Sequence, residues 1–265
     1  MSVAFRSRPR LLIDEAADEV AVRLEGVTKV YGRGRAAVTA LDNVSLEVVR
    51  GEFVCILGAS GCGKSTLLSS IAGLDRLSGG QIETSVARPA LMFQEAGLLP
   101  WLTVRRNVEL PLRLRHIPES ERRVTVNRLL AMVNLIDFAE SRPHELSGGM
   151  RQRAALARAL AQDSQLLLMD EPFAALDAIT RDTLHDDLTR IWVECSNTIV
   201  FVTHNVREAV RLADRVVLMT SRPGRVGRIW EVDIPRPRTL DSAEVAALAT
   251  EITSQLRLEV SSEDR

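Results

Sequence analysis

The sequence predicts an α/β protein carrying a helical insertion, and three observations support this. Short apolar runs suited to buried strands alternate with stretches of helical periodicity, which implies a parallel sheet. A glycine-rich turn stands between one such run and a helix. From about Gly97 to Ala161 the chain becomes Arg- and Leu-rich and helix-patterned, with Pro111, Pro118 and Pro143 as punctuation. The 265 residues are 46% hydrophobic and 26% charged, which supports a real core and excludes a disordered chain. Basic and acidic residues number 34 and 35, for a net charge of −1. That balance leaves no global field to hold a polyanion, so no nucleic-acid partner is expected.

The first elements alternate. Val20, Val22 and Leu24 interleave with Ala21, Arg23 and Glu25, as in a half-buried strand, and Tyr31–Arg35 reads as a turn. A second alternating stretch, Val38–Val49, stops at Arg50-Gly51-Glu52. Phe53–Gly58 (FVCILG) is a continuous apolar run suited to a strand buried on both faces. The helix after it would carry Leu67, Leu68 and Ile71 on one face. Residues 86–93 suggest a short strand. QLLLM (165–169), TIVFV (198–202) and Val216–Met219 are further strands, and Thr180–Glu194 and Val206–Ala213 are helices. Residues 242–258 suit a short amphipathic helix with Val245, Leu248, Ile252 and Leu256 on one face. The first 18 residues lack the apolar core of a secretory signal and read as a charged extension. No apolar stretch of ~18 residues is available to span a membrane. The cysteines, Cys55, Cys62 and Cys195, form no CxxC pair and read as reduced thiols.

The turn after FVCIL reads Gly58-Ala59-Ser60-Gly61-Cys62-Gly63-Lys64-Ser65-Thr66, a match to GxxxxGK[ST] between strand and helix. Glycines allow the backbone to wrap tightly and aim its N–H groups at phosphate oxygens, and the helix N-terminus adds partial positive charge. Lys64 would reach the β- and γ-phosphates of a bound nucleotide, and the Ser65 hydroxyl would ligate Mg²⁺. Lys29 and Lys64 are the only lysines among 34 basic residues, which gives a lysine at this position weight. Cys62 reads as a small residue that fits the loop, with a redox role as the weaker reading. Such a loop needs a carboxylate at the end of a neighbouring strand. Asp170 follows LLLM, and Glu171, the next residue, is free for another task, polarising the attacking water. His204 after TIVFV and Gln94 after LMF are weak signals alone.

Leu146-Ser147-Gly148-Gly149-Met150-Arg151-Gln152-Arg153 opens a second helix. Ser147 is a good N-cap, and the two glycines leave the helix end open to an anion. One nucleotide per chain hardly needs two such ends, unless the second serves another chain.

The phosphate loop, Gln94, LSGGMRQR (146–153), LLLMDEP (166–172), Ala175-Leu176-Asp177 and His204 occur in the order and approximate spacing of ATP-binding-cassette ATPases. Over roughly residues 20–220 the chain resembles that family's nucleotide-binding domain. The resemblance implies a P-loop NTPase core, an antiparallel β subdomain near the N-terminus, and a helical subdomain, here about 97–161. It also implies a head-to-tail homodimer with ATP held between the P-loop of one chain and the LSGG of the other. On that basis Tyr31 would stack on adenine, and Gly58–Thr66 would cradle the phosphates. Ser65, Gln94 and Asp170 would hold Mg²⁺. Glu171 would be the general base, assisted by Gln94, and His204 would contact the γ-phosphate. Ser147, Gly148 and Gly149 would contact the partner's nucleotide, and Asp177 would lie across the interface.

Within the family, QEAGLLPWLTVRRNV (94–108), PHELSGGMRQRAALARAL and SRPGRVGRIWEVDIPRPR (221–238) resemble the nitrate, sulfonate and taurine importer group. The organisation expected is an extension over 1–18, the nucleotide-binding domain over 19–220 and a short C-terminal extension over 221–265. The apolar loop LLPWLTV suggests that permease subunits dock near Gln94–Val104. A peripheral place on the cytoplasmic membrane face follows, with an external solute-binding protein as an indirect partner. The competing expectation is a soluble cassette ATPase acting on nucleic acid or ribosomes, opposed by the charge balance and the single cassette. A P-loop small-molecule kinase is disfavoured by LSGG and Glu171.

Overall fold

The computed structural model describes residues 20–220 and 222–263; the expected extension over 1–18 lies outside them. The strands are β1 (Val20–Tyr31), β2 (Val38–Val49), β3 (Phe53–Leu57), β4 (Gly79–Thr84), β5 (Ala90–Met92), β6 (Leu166–Asp170), β7 (Thr198–Val202), β8 (Arg215–Thr220) and β9 (Arg225–Glu231). The α-helices are α1 (Lys64–Ile71), α2 (Val104–Leu114), α3 (Glu119–Met132), α4 (Gly148–Leu160), α5 (Ala178–Cys195), α6 (Val206–Leu212) and α7 (Ala243–Glu263). The described residues form two compact units, 20–85 with 200–263 in one and 86–199 in the other.

In the first unit β2, β1 and β4 make an antiparallel sheet with β1 in the middle. Leu24 sits opposite Leu46 on one side and Ile82 on the other. Of the expected alternation, Val22 and Leu24 are buried as read, but Val20 is only half-buried and Ala21, placed on the other face, is buried as well. A second run of strands places β7, β3, β8 and β9 side by side. β3 and β8 are parallel, with Val54 opposite Arg215, whereas β9 returns antiparallel. All five residues of β3 are buried, which is why its sequence shows no alternation. Phe53 and Phe201 pack as a tilted pair, 5.9 Å between ring centroids. The chain passes from one unit to the other within β7.

The second unit holds the parallel pair β5–β6 and the helices α2 to α5. Two expectations change here. The strand expected over 86–93 is reduced to Ala90–Met92. Pro89 lacks the N–H that a ladder needs, so pairing begins after it. Pro111 does not end a helix but lies inside α2, whose last turn closes through Arg115 N–H donating to Pro111 O at 3.1 Å. Pro118 and Pro143 do stand at element boundaries, as N-cap of α3 and first residue of a short 3₁₀ turn. Among the described residues no helix is long and apolar enough to cross a membrane.

Candidate functional site

The phosphate loop closes between β3 and α1. β3 delivers Gly58 buried at its end, and the chain then wraps to Gly63, which precedes α1 at φ 92°. A Cβ there would meet Ala40 O at 2.7 Å and Leu41 Cδ2 at 2.8 Å, so the position demands glycine on both counts. Having no side chain, Gly63 also leaves the first N–H groups of α1 without a side-chain cap. Lys64 is the first residue of α1. It is only 6% exposed, and its Nζ donates to Gly58 O at 2.8 Å and Ala59 O at 2.9 Å. A buried ammonium met by two carbonyl dipoles is a mobile donor: phosphate oxygens at the loop would compete for the same three protons with full negative charge. Cys62 lies beside it, Sγ 3.8 Å from Nζ. Burial pushes the Cys62 thiol up despite the opposing pull of Lys64, which keeps it protonated and does not favour a reactive thiolate. Ser60, Gly61 and Ser65 are exposed, and Ala59 and Thr66 are half-buried.

Tyr31 ends β1, 41% exposed. Its hydroxyl donates to Asp75 Oδ2 at 2.5 Å and also hydrogen-bonds Thr66 of α1. Lys29 Nζ stands 4.6 Å from its ring centroid and pairs with Asp75 Oδ1 at 2.8 Å. The ring is thus braced against the helix that follows the loop, a connection the sequence did not suggest. His204 follows β7, exposed between two anchored neighbours. Thr203 N–H donates to Ile56 O of β3 at 3.1 Å, and the Thr203 hydroxyl donates to the buried Glu208 carboxylate. Asn205 caps α6, its Oδ1 accepting from Arg207 N–H at 3.0 Å and Glu208 N–H at 3.3 Å.

In the second unit Asp170 ends β6, half-buried, and Glu171 follows at φ 43°. A non-glycine residue held left-handed costs about 1–3 kcal/mol and persists where the surroundings impose it. The loop that Glu171 opens is tied by Ala174 N–H donating to Glu171 O at 3.2 Å and by Arg181 donating to Phe173 O at 3.3 Å and Leu176 O at 2.6 Å. Asp177 ends this loop as N-cap of α5, accepting from Thr180 N–H at 3.0 Å. Hydrogen bonds from the Thr180 side chain first, and then from its N–H, hold the exposed Asp177 carboxyl below its ordinary range.

Ser147 caps α4 as read from sequence, accepting from Met150 N–H at 3.3 Å. The cap uses a lone pair of the hydroxyl and leaves its O–H to donate elsewhere. Gly148 and Gly149 are close to α5 and the loop before it. A Cβ on Gly149 would lie 2.4 Å from Thr180 Cγ2, and one on Gly148 3.3 Å from Leu176 Cδ2. Gly149 is therefore required by helix packing.

Gln94 presents an exposed side chain after β5, while its carbonyl accepts from Gln152 Nε2 at 2.8 Å. The loop from Gln94 to Thr103 is built on two residues that sequence reading passed over. Asn107, fully buried, accepts from Leu99 N–H and donates to the carbonyls of Leu99, Leu102 and Thr103. Arg158 donates to Ala96 O at 2.7 Å and Gly97 O at 2.6 Å. The available signal was an Asn lying between Val104 and Val108 on the apolar face of α2, where only a fully hydrogen-bonded amide is tolerated. This scaffold leaves Trp101 67% exposed.

Within each unit, then, some predicted residues meet: Tyr31 with Thr66 in the first, and Gly148 with Leu176, and Gly149 with Thr180 of the helix that Asp177 caps, in the second. Among the described residues no group of three or more His, Cys, Asp or Glu converges as a metal site. Ser65 in the first unit and Asp170 in the second each carry a hard oxygen of the type Mg²⁺ takes alongside substrate phosphates.

Residues 41–174 match the model of the ABC transporter family. Among curated relatives, a nitrate import ATP-binding protein of a Synechocystis species is 44% identical over 81% of this chain and 83% of its own length. An aliphatic sulfonates import ATP-binding protein of Bacillus cereus is 39% identical over 88% of this chain and 95% of its own. Among solved structures, an ATP-binding cassette, dimeric and bound to ADP and Pi after hydrolysis, superposes with a TM-score of 0.71 at 35% identity, covering 81% of this chain and all of the other. With the phosphate loop built around Lys64 and the capped glycine helix start at Ser147, these matches establish that the chain belongs to the ABC transporter family, as an ATP-binding, ATP-hydrolysing subunit.

Proposed function

We propose that the chain is the energy-coupling ATPase of an importer for a small anion of the nitrate, sulfonate or taurine kind, working as a homodimer beneath its permease subunits. The solute class rests on the relatives, which are named for nitrate and sulfonate import. The mechanism rests on the residues. Gly58–Thr66 holds the triphosphate, with Lys64 exchanging the carbonyls of Gly58 and Ala59 for phosphate oxygens. Tyr31 stacks on adenine. His204 contacts the γ-phosphate. Glu171, in its left-handed backbone, accepts a proton from the attacking water, and Gln94 helps to orient that water. Ser65, Gln94 and Asp170 would hold Mg²⁺, which when bound neutralises charge on the β- and γ-phosphates.

Ser147, through the O–H its cap leaves unused, and the N–H groups near Gly148 and Gly149 meet the γ-phosphate of the partner's ATP. Asp177 lies across the same interface. Closure of the dimer on ATP is passed to permease helices docked near Gln94–Val104, where Asn107 and Arg158 hold the apolar loop rigid and Trp101 outward. A site on the cytoplasmic membrane face, reached indirectly by a solute-binding protein outside, completes the assembly.

The observation that carries this reading is the presence in one chain of two unlike glycine-led helix starts, one built around a buried lysine and one closed by a serine cap. Glu171→Gln tests it. Turnover should fall by about 10²–10⁴-fold, the usual worth of a general base, while ATP binding survives and an ATP-bound dimer persists on sizing. Hydrolysis at the wild-type rate would remove Glu171 from the reaction.

A further inference from the structure

α6 has two turns, and both of its ends are tied by side chains. At its start the cap of Asn205 and the Thr203–Glu208 contact hold the backbone on either side of His204. At its far end, about 10 Å along a seven-residue helix, two arginines from residues 232–238 take over the carbonyls that a helix C-terminus leaves unpaired. Arg238 is 6% exposed. Its Nη1 donates to Val210 O at 2.9 Å and also to Ala213 O, its Nη2 to Val232 O at 2.8 Å and its Nε to Ile234 O at 2.7 Å. Arg236 donates to Leu212 O at 2.5 Å and to Asp214 Oδ1 at 2.6 Å. Asp214 in turn accepts from Phe53 N–H at 3.0 Å, at the start of the strand that leads into the phosphate loop.

Four carbonyls accept from Arg238, two of them at the negative end of α6, and the carboxylates of Asp214 and Asp233 add opposite charge nearby. Burial, with Arg236 nearby, depresses its pKa to about 10. A buried guanidinium with this many backbone partners is an expensive way to attach a tail, since apolar packing does so without desolvating a charge. α7 already lies against α6 with Val245, Ala249 and Ile252 buried.

We infer that Arg236 and Arg238 are positioning residues, a clamp on the C-terminal end of α6 that sets the place of His204 at the other end. The inference rests on the reading of His204 as the γ-phosphate contact. A two-turn helix held only at its N-cap can shift along its axis; held at both ends it cannot, and Thr203, bonded to Ile56 O, is the fixed point against which His204 is aimed. The segment SRPGRVGRIWEVDIPRPR thereby gains a role in hydrolysis, although neither arginine touches nucleotide.

The test is a double-mutant cycle on the full chain, with kcat and KM for ATP measured where circular dichroism shows every variant folded. Arg238→Lys keeps the charge but concentrates the donors on one atom, which cannot span four carbonyls. It should lower kcat about tenfold, the effect of a small misplacement near the chemistry, and leave KM within about twofold. In a His204→Ala background the same change should alter the residual single-turnover rate by less than about twofold. Arg236→Gln carries the same cycle if Arg238→Lys is insoluble. An unchanged kcat, or a tenfold loss that persists in the His204→Ala background, overturns the clamp. His204→Ala turning over at the wild-type rate instead overturns the role of His204, a distinguishable result.

Discussion

The two glycine-led helix starts use the same residue type for opposite ends. At α1, Gly63 sits at φ 92° under Ala40 O and has no side chain, so the first N–H groups of the helix stay available to a ligand and Lys64 folds back over the loop. At α4, Ser147 spends its hydroxyl lone pair on Met150 N–H, and Gly149 is small because Thr180 of α5 leaves it no room. The first start is uncapped, and its glycine serves the backbone. The second is a capped joint whose glycine serves packing, with the Ser147 O–H and the N–H groups near Gly148 and Gly149 not taken by the cap. A glycine pair beside a helix is thus no measure of anion binding until it is known what stands where the Cβ would be.

Substitutions that treat the two starts alike should therefore give unlike results. The largest effect is expected from Gly63→Ala. Strain at a positive φ and a 2.7 Å clash with backbone distort the loop, and ATPase activity should fall about a hundredfold or more, with nucleotide binding lost in a fluorescence titration. Activity near wild type would mean that the left-handed turn is dispensable.

Gly149→Ala should instead cost stability, about 1–3 kcal/mol for overpacking, read as a lower thermal midpoint, while ATP still binds the isolated chain. Because the clash is with Thr180 Cγ2, a methyl that serine lacks, Thr180→Ser should restore most of the loss. Failure of that rescue would mean Gly149 is needed for its backbone after all.

Ser147→Ala should have the smallest effect on the fold, about 1 kcal/mol for a lost cap. Ser147→Asp sharpens the comparison. It caps as well as serine, so the thermal midpoint should hold, but it sets a carboxylate where the partner's γ-phosphate is proposed to lie, so ATPase activity should drop. Full activity in Ser147→Asp would leave that helix start a joint and nothing more.

What the sequence determined by itself is whatever depends on neighbours a few residues apart. The apolar run of β3, the loop from Gly58 to Thr66, the cap at Ser147 and the Asp170–Glu171 pair at a strand end are set by spacing, and spacing is visible in one chain. β4 and β9 had no comparable signal, because GGQIET and RVGRIWE are mostly exposed strands whose pairing comes from β1 and β8. Tertiary structure alone decided the rest. Thr180 makes Gly149 obligatory from 31 positions away. Arg181 holds the loop that follows Glu171. Asn107 and Arg158 build the loop that exposes Trp101. Arg238 finds Val210 O at a separation of 28 residues. In each case a side chain meets a backbone group brought near by packing, and a carbonyl looks the same in every residue. A sequence can show the donor, but only the folded chain shows which acceptor is waiting.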